Sequence, residues 1–199
     1  MLIDKSLDKY GNRSWKVTTA PTTEPVTADE VKTFGRIDGD DEDTMIEGMI
    51  KAVREATEGY LGRSLITQTI TLKMDFWPSN VIKLPRPPLI SITGIYTVDE
   101  DDADTEYDSD NYYIDSNMEP GRLIIKQGIS NPTNTDRDFG GFKIVYTAGY
   151  GDDASDVPEV IRQGIMIWVV DFYENRVINP NDPPQYVKTL LDTYYIDRI

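Results

Sequence analysis

The 199-residue chain contains no cysteine and no histidine. Disulfides, thiol nucleophiles, Cys/His zinc sites and every triad built on histidine are therefore excluded. Cations are scarce too. Lys and Arg number 20 against 35 Asp and Glu, a formal net charge of −15. Nonspecific DNA binding rests on cations that neutralise phosphates, and this chain has the wrong overall sign for it. Its acidity favours solubility and repels nucleic acid. The opening MLIDKSLDKYGNRSW lacks the apolar core of a signal peptide. The chain is long enough to bury roughly 70% of its unfolded surface without covalent staples.

One segment stands out among what is present. Residues 143–176 read KIVYTAGYGDDASDVPEVIRQGIMIWVVDFYENR. A strand-like run ends at Ala148-Gly149-Tyr150-Gly151, and after an acidic loop Val157-Pro158 opens a helix. Ile161, Ile165, Ile167, Trp168, Val169, Val170, Phe172 and Tyr173 cannot all face one neighbour. A helix apolar all round is buried, in its own fold or against other subunits. Glu159, Arg162, Gln163 and Asp171 argue against lipid as the neighbour, because charge at membrane depth is costly.

The rest of the chain divides by period. Residues 1–26 are polar and irregular and read as an N-terminal arm. Thr27-Ala28-Asp29-Glu30 is a capping box, which predicts a helix over 27–35. Asp41 or Asp43 caps a second helix, over 41–61. Its stripe is Ile46, Met49, Ile50, Val53, Thr57, Tyr60 and Leu61, and Gly62 is its stop. From Leu65 the period falls to two. Ile66, Ile70, Leu72, Met74 and Phe76 should face inward, with Thr67, Thr69 and Thr71 outward. Further strands are expected at 81–84, 89–98, 111–115, 121–126 and 141–147. Pro85 to Leu89 reads as an extended connector, and Asp99 to Asp110 as an exposed acidic hairpin tip. Asn179 to Pro184 stops the long helix, expected over 157–174. Gln185 to Ile199 recurs at helical spacing through Tyr186, Val187, Leu190, Leu191, Tyr194, Tyr195 and Ile196. The order argues an α+β fold: a helical core with an inserted antiparallel β-rich region at about 65–147.

No motif for chemistry is complete. Asp38 to Asp43 has the composition of a calcium loop but lacks the EF-hand order, so a charged helix start is the better reading. Gly149-Tyr150-Gly151 is too short for a phosphate loop. With so many acids some carboxylate pair always looks suitable for hydrolysis, so such a pair points to no particular site. Tyr107, Tyr112 and Tyr113 suggest a carbohydrate platform, against which stands ordinary strand packing. Cofactors and metals are not expected.

Four stretches together resemble the head–tail connector, or adaptor, proteins of tailed bacteriophages and gene transfer agents. They are FGRIDGDDEDTMIEGMIKAVREATEGYLGRSLITQTITL, LPRPPLISITGIYTVDED, GRLIIK and VYTAGYGDDASDVPEVIRQGIMIWVVDFYENR. The resemblance covers about residues 25–176 and implies a structural, non-enzymatic protein of the virion neck at the portal vertex, made in the host cytoplasm. It implies a homo-oligomeric ring, usually twelve-fold, beneath the portal protein. That ring extends the DNA channel, passes DNA without specific binding, and meets a tail or neck-completion protein. On this reading 27–176 is the connector domain. Ile161, Arg162, Trp168 and Phe172 are expected at the subunit interface, with Arg162 meeting a carboxylate. The resemblance does not reach the segment 177–199; its helical spacing beyond the prolines is read as a C-terminal docking arm, with Tyr186, Leu190, Leu191, Tyr194 and Tyr195 meeting the portal, the alternative being that it packs back on its own subunit. The rival readings are a carbohydrate-binding or adhesive β module of a virion, and a carboxylate hydrolase.

Overall fold

The computed structural model describes residues 13–133, 137–180 and 182–196. The fold is α+β, and the chain divides into two compact units. Among the described residues, one gathers 13–20 with Gln68–Gly149; the other gathers Pro21–Thr67 with 150–196.

The first unit is an antiparallel β-sandwich. Its strands are β1 (Arg13–Thr19), β2 (Gln68–Met74), β3 (Val81–Lys83), β4 (Leu89–Val98), β5 (Asp104–Glu106), β6 (Tyr112–Asp115), β7 (Arg122–Ile125) and β8 (Phe142–Ala148). The larger sheet runs β1-β2-β8-β4-β5, the smaller β3-β7-β6. Alternation fills the space between them. Ile70, Leu72, Met74, Ile144 and Tyr146 come from one sheet, Ile82, Tyr112, Leu123 and Ile125 from the other. The Tyr146 hydroxyl, pushed well above its usual pKa by burial, donates to Pro85 O at 2.8 Å. Proline-rich residues 85–88 link the sheets. Gly149 N donates to Pro88 O, and the Arg86 guanidinium lies 5.2 Å from the Trp15 ring centroid.

Three expectations for this unit change. Residues 13–19, placed in the irregular arm, form β1 and pair with β2 from Arg13↔Met74 onward. Polar outward side chains hid that strand, and residues 1–12 lie outside the described residues. Thr71 lies on the outward face yet is buried, because β2 is an interior strand and Thr18 Oγ1 covers it at 3.3 Å. Phe76 falls beyond the end of β2 and is exposed, while Ile66 precedes β2 and joins the other unit's core.

The second unit is helical: α1 (Ala28–Gly35), α2 (Asp43–Leu61), α3 (Glu159–Asn175) and α4 (Gln185–Leu191). The capping box forms as expected: Thr27 Oγ1 accepts from Glu30 N, and Glu30 Oε2 accepts from Thr27 N at 2.8 Å. Gly62 ends α2 in a left-handed conformation (φ 68°). A Cβ there would lie 2.9 Å from Ile196 O, so glycine serves packing as well as the turn. Neither Asp41 nor Asp43 caps α2. Glu42 holds the N-cap position and makes no side-chain cap bond, because its carboxylate turns to the end of α3, accepting from Tyr173 Oη and pairing with Arg176.

Candidate functional site

The site to be built is a set of surfaces, and α3 is where to begin. One face of it is covered by the chain's own helices, while Val160 stays exposed. Ile161, Ile165, Trp168 and Val169 pack with Val31 of α1, Ile46, Ile50 and Val53 of α2, and Val187 and Leu191 of α4. Trp168 is only 1% exposed. Ile161 and Trp168, expected at a subunit interface, are thus enclosed in their own chain. No neighbour can reach them unless these helices separate. Phe172 is half-buried against the same core.

Arg162 meets carboxylates, and it meets them within the chain. Nη2 lies 2.6 Å from Glu30 Oε1 and Nη1 2.7 Å from Glu159 Oε2, while Nε donates to Pro25 O at 2.9 Å. One guanidinium therefore ties the strap before α1, the capping box and the first turn of α3. The planar five-donor fork suits such a three-way junction. Gln163 donates to Glu159 as well, and that bond, with Arg162, holds the Glu159 carboxyl below its ordinary pKa.

A second junction lies deeper. Arg54 on α2 is buried, and Nη1 pairs with buried Glu58 at 3.1 Å. Its Nε pairs with Glu24 at 2.7 Å. Glu58 Oε1 accepts from Leu65 N at 2.9 Å, so the helix ion pair also fixes the chain after Gly62. Burial raises the Glu24 pKa, although Arg54 opposes the shift.

The C-terminal segment packs back on its own unit. Val187 and Leu191 are buried, and Leu191 lies where a Cβ on Gly164 would touch it at 3.1 Å. Ile196 N donates to Leu61 O, Arg63 Nε to Tyr194 O at 2.6 Å, and Tyr60 Oη to Asp192. The Tyr60 hydroxyl is pushed up to about 12 by burial and by that carboxylate. Of the residues expected to meet a portal, Leu191 is unavailable, and Leu190 and Tyr194 are half-buried. Tyr186 and Tyr195 are exposed. The helical spacing found α4 but did not say which surface its stripe covers. Residues 197–199 lie outside the described residues.

The acidic start of α2 borders an open depression of about 540 Å³ lined by Asp29, Lys32, Asp38 and Asp40. Lys32 Nζ occupies its charge centre, 2.8 Å from Asp40 and 2.7 Å from Asp43. That ammonium holds Asp40 below the usual carboxylate range. Among the described residues no cluster of His, Cys, Asp and Glu is placed to hold a metal ion, and no helix is long and apolar enough to cross a membrane. The three tyrosines do not make a carbohydrate platform. Tyr112 fills the sandwich core, Tyr107 donates to Ser130 O at 2.6 Å, and only Tyr113 stands exposed.

Comparisons with known proteins agree with this architecture. No match was found among curated protein sequences. A chain from the neck of an empty gene transfer agent particle, computed with C6 symmetry, is similar with a TM-score of 0.79 at 21% identity; 93% of this chain and 96% of that one are covered. A chain from the virion of a native gene transfer agent particle has a TM-score of 0.77 at 21% identity, with the same coverage of each. A third, from the neck of a native particle computed with C12 symmetry, has 0.73 at 22%, again with 93% and 96% covered. These likenesses establish the fold. The family model described as "Head completion protein" matches residues 24–182, from the strap before α1 to the start of the C-terminal segment, and the chain belongs to the head completion protein family.

Proposed function

We propose that this chain is a structural protein of the virion neck, forming a ring between the portal protein and the tail or next neck component. The observation that carries the reading is the head completion family match across both units. The fold shared along nearly the whole chain with proteins of gene transfer agent necks supports it. Those necks were computed with C6 and C12 symmetry, and a ring of twelve copies is the reading for this chain. A ring of identical subunits needs a heterologous contact that closes by rotation. A net charge of −15 suits a channel wall that lets DNA pass without holding it. On this reading the exposed Tyr186 and Tyr195 offer aromatic contact area to the portal.

Co-sedimentation with the portal protein of the same virion tests this. The full chain is expected to travel with the portal in a fixed ratio, and a chain carrying Tyr186→Ala and Tyr195→Ala to bind more weakly. Equal binding by that variant places portal contact elsewhere. Absence of binding by the full chain removes the adaptor reading.

A further inference from the structure

The smaller sheet of the sandwich has an outward face that nothing among the described residues covers. Its inward side chains fill the core. Outward, register aligns Val81 with Ile124 and Ile124 with Tyr113 across the three strands. Val81 is 43% exposed and Tyr113 60%. The next outward row is Lys83, Arg122 and Asp115. Lys126 stands 4.8 Å from the Tyr113 ring centroid. An apolar row edged by cations is unusual on a chain this acidic, and exposed apolar patches mark contact surfaces.

A second patch on the same unit has the complementary character. Phe139 is 69% exposed. The Arg137 guanidinium lies 5.3 Å from its ring centroid, and Arg137 Nη1 donates to Asp99 O at 3.0 Å and pairs with Asp102. That pins the exposed ring beside the acidic turn after β4. The stretch from Asp99 to Asp110 contains no Lys or Arg. The first patch is apolar with Lys83 and Lys126 at its edges beside the Arg122–Asp115 pair; the second sets Phe139 and its Arg137 neighbour beside the exposed Glu100 and Asp101.

We propose that the Tyr113 face of one copy receives Phe139 and the acidic turn of the next copy, and that this is the repeating contact of the ring. The inference rests on the ring reading above and names the surface that makes it. Two copies of so acidic a chain repel at random orientations. This orientation sets acids against Lys83 and Lys126 while ring packs on apolar row, which fixes both partner and register. The two patches differ, so the contact is heterologous, as ring closure requires.

The absence of native cysteine makes the test clean. Full-length chain carrying both Tyr113→Cys and Phe139→Cys, treated with a flexible bis-maleimide, is expected to give a ladder of covalent multimers. Each single variant alone should stay uncrosslinked, and an equal mixture of the two should stop at dimers. Independently, Lys83→Glu with Lys126→Glu should weaken self-association at least tenfold in sedimentation velocity, with or without portal. Mixing that variant with Glu100→Lys/Asp101→Lys chain should restore hetero-association. Unchanged assembly by the charge-reversed chain, with no ladder, overturns this contact and leaves the ring reading standing. Homodimers from either single variant overturn the head-to-tail geometry. A wild-type chain that stays monomeric even on the portal overturns the ring reading and this contact together.

Discussion

In the sandwich, opposite charges meet near the surface. Arg122 pairs with Asp115, Arg137 with Asp102 and Lys143 with Asp104, all at strand ends or turns. In the helical unit the Arg54–Glu58 pair lies inside, and the half-buried Arg162 reaches three carbonyl and carboxylate partners. The cores differ in the same sense. Two sheets fill the sandwich interior chiefly with aliphatic and aromatic side chains. The helical unit threads polar ties between its strap, helices and C-terminal segment. Both units expose some apolar side chains: the sandwich leaves Val81, Tyr113 and Phe139 open, and the helical unit Phe34, Val160, Tyr186 and Tyr195. The core-facing residues of α3 are nonetheless covered by the other three helices. A very apolar helix is therefore not by itself an interface.

Ile70→Asp buries an unpaired carboxylate between the sheets and should cost roughly 4 kcal/mol or more. Hydrogen exchange read by segment should show protection lost over 68–74 and 142–148 before 46–57. Equal loss in both places would show that the units unfold as one. Arg54→Ala removes one member of the buried pair with Glu58 and should cost about 3–5 kcal/mol, since deleting one partner of a buried pair is strongly destabilising. Chemical denaturation measures it, and the doublet Arg54→Met/Glu58→Gln should recover part of the loss. A single-variant cost below about 1 kcal/mol would put this pair in the class of exposed bridges. Thr27→Ala removes one half of the capping box and should cost about 1 kcal/mol, with exchange increasing at the start of α1 first.

The smallest effect separates Asp115 and Asp102 from Glu24 by sign. Asp115 and Asp102 are held below their ordinary pKa of 3.8, chiefly by hydrogen bonds from Arg122 and Arg137. Their stabilisation is complete above that value and fades as pH falls through the depressed folded values. Glu24 is raised above its ordinary 4.5 by burial. The folded state then takes up its proton first, so stability rises as pH falls from its raised folded value toward 4.5 and is level below. Thermal unfolding at pH 6, 4.5 and 3 should show the sandwich weakening only in the last step, while Glu24→Gln removes the helical unit's gain above pH 4.5. A sandwich that weakens above pH 4.5 would contradict the assignment.

Local signals carried much of the fold. Thr27 and Glu30 mark α1, Gly62 ends α2, and the alternation Ile70-Leu72-Met74 gives β2 its inward face. What escaped was decided by distant partners. Residues 13–19 form a strand because β2 offers an edge, and the short alternation of Trp15 and Val17 with Ser14, Lys16 and Thr18 is its only local sign. Thr71 is buried because β1 and β8 flank it. Short β5, paired only through Tyr96–Glu106 to Val98–Asp104, is wholly polar and reads as loop. The same limit applies to the surfaces. Periodicity showed that α3 and α4 each needed cover, but could not say that each supplies it to the other. Nor could it distinguish Tyr112, in the core, from Tyr113, in solvent, before the register of β6 was known.

Imaging of the full chain bound to its portal by cryo-electron microscopy tests the central claim most directly. The account predicts a closed ring with an open channel at its centre. Each subunit would keep α3 inside its own four helices, with neighbours meeting through the sandwich. A portal left bare, or a ring whose subunits exchange or open α3 to build their contacts, would contradict it.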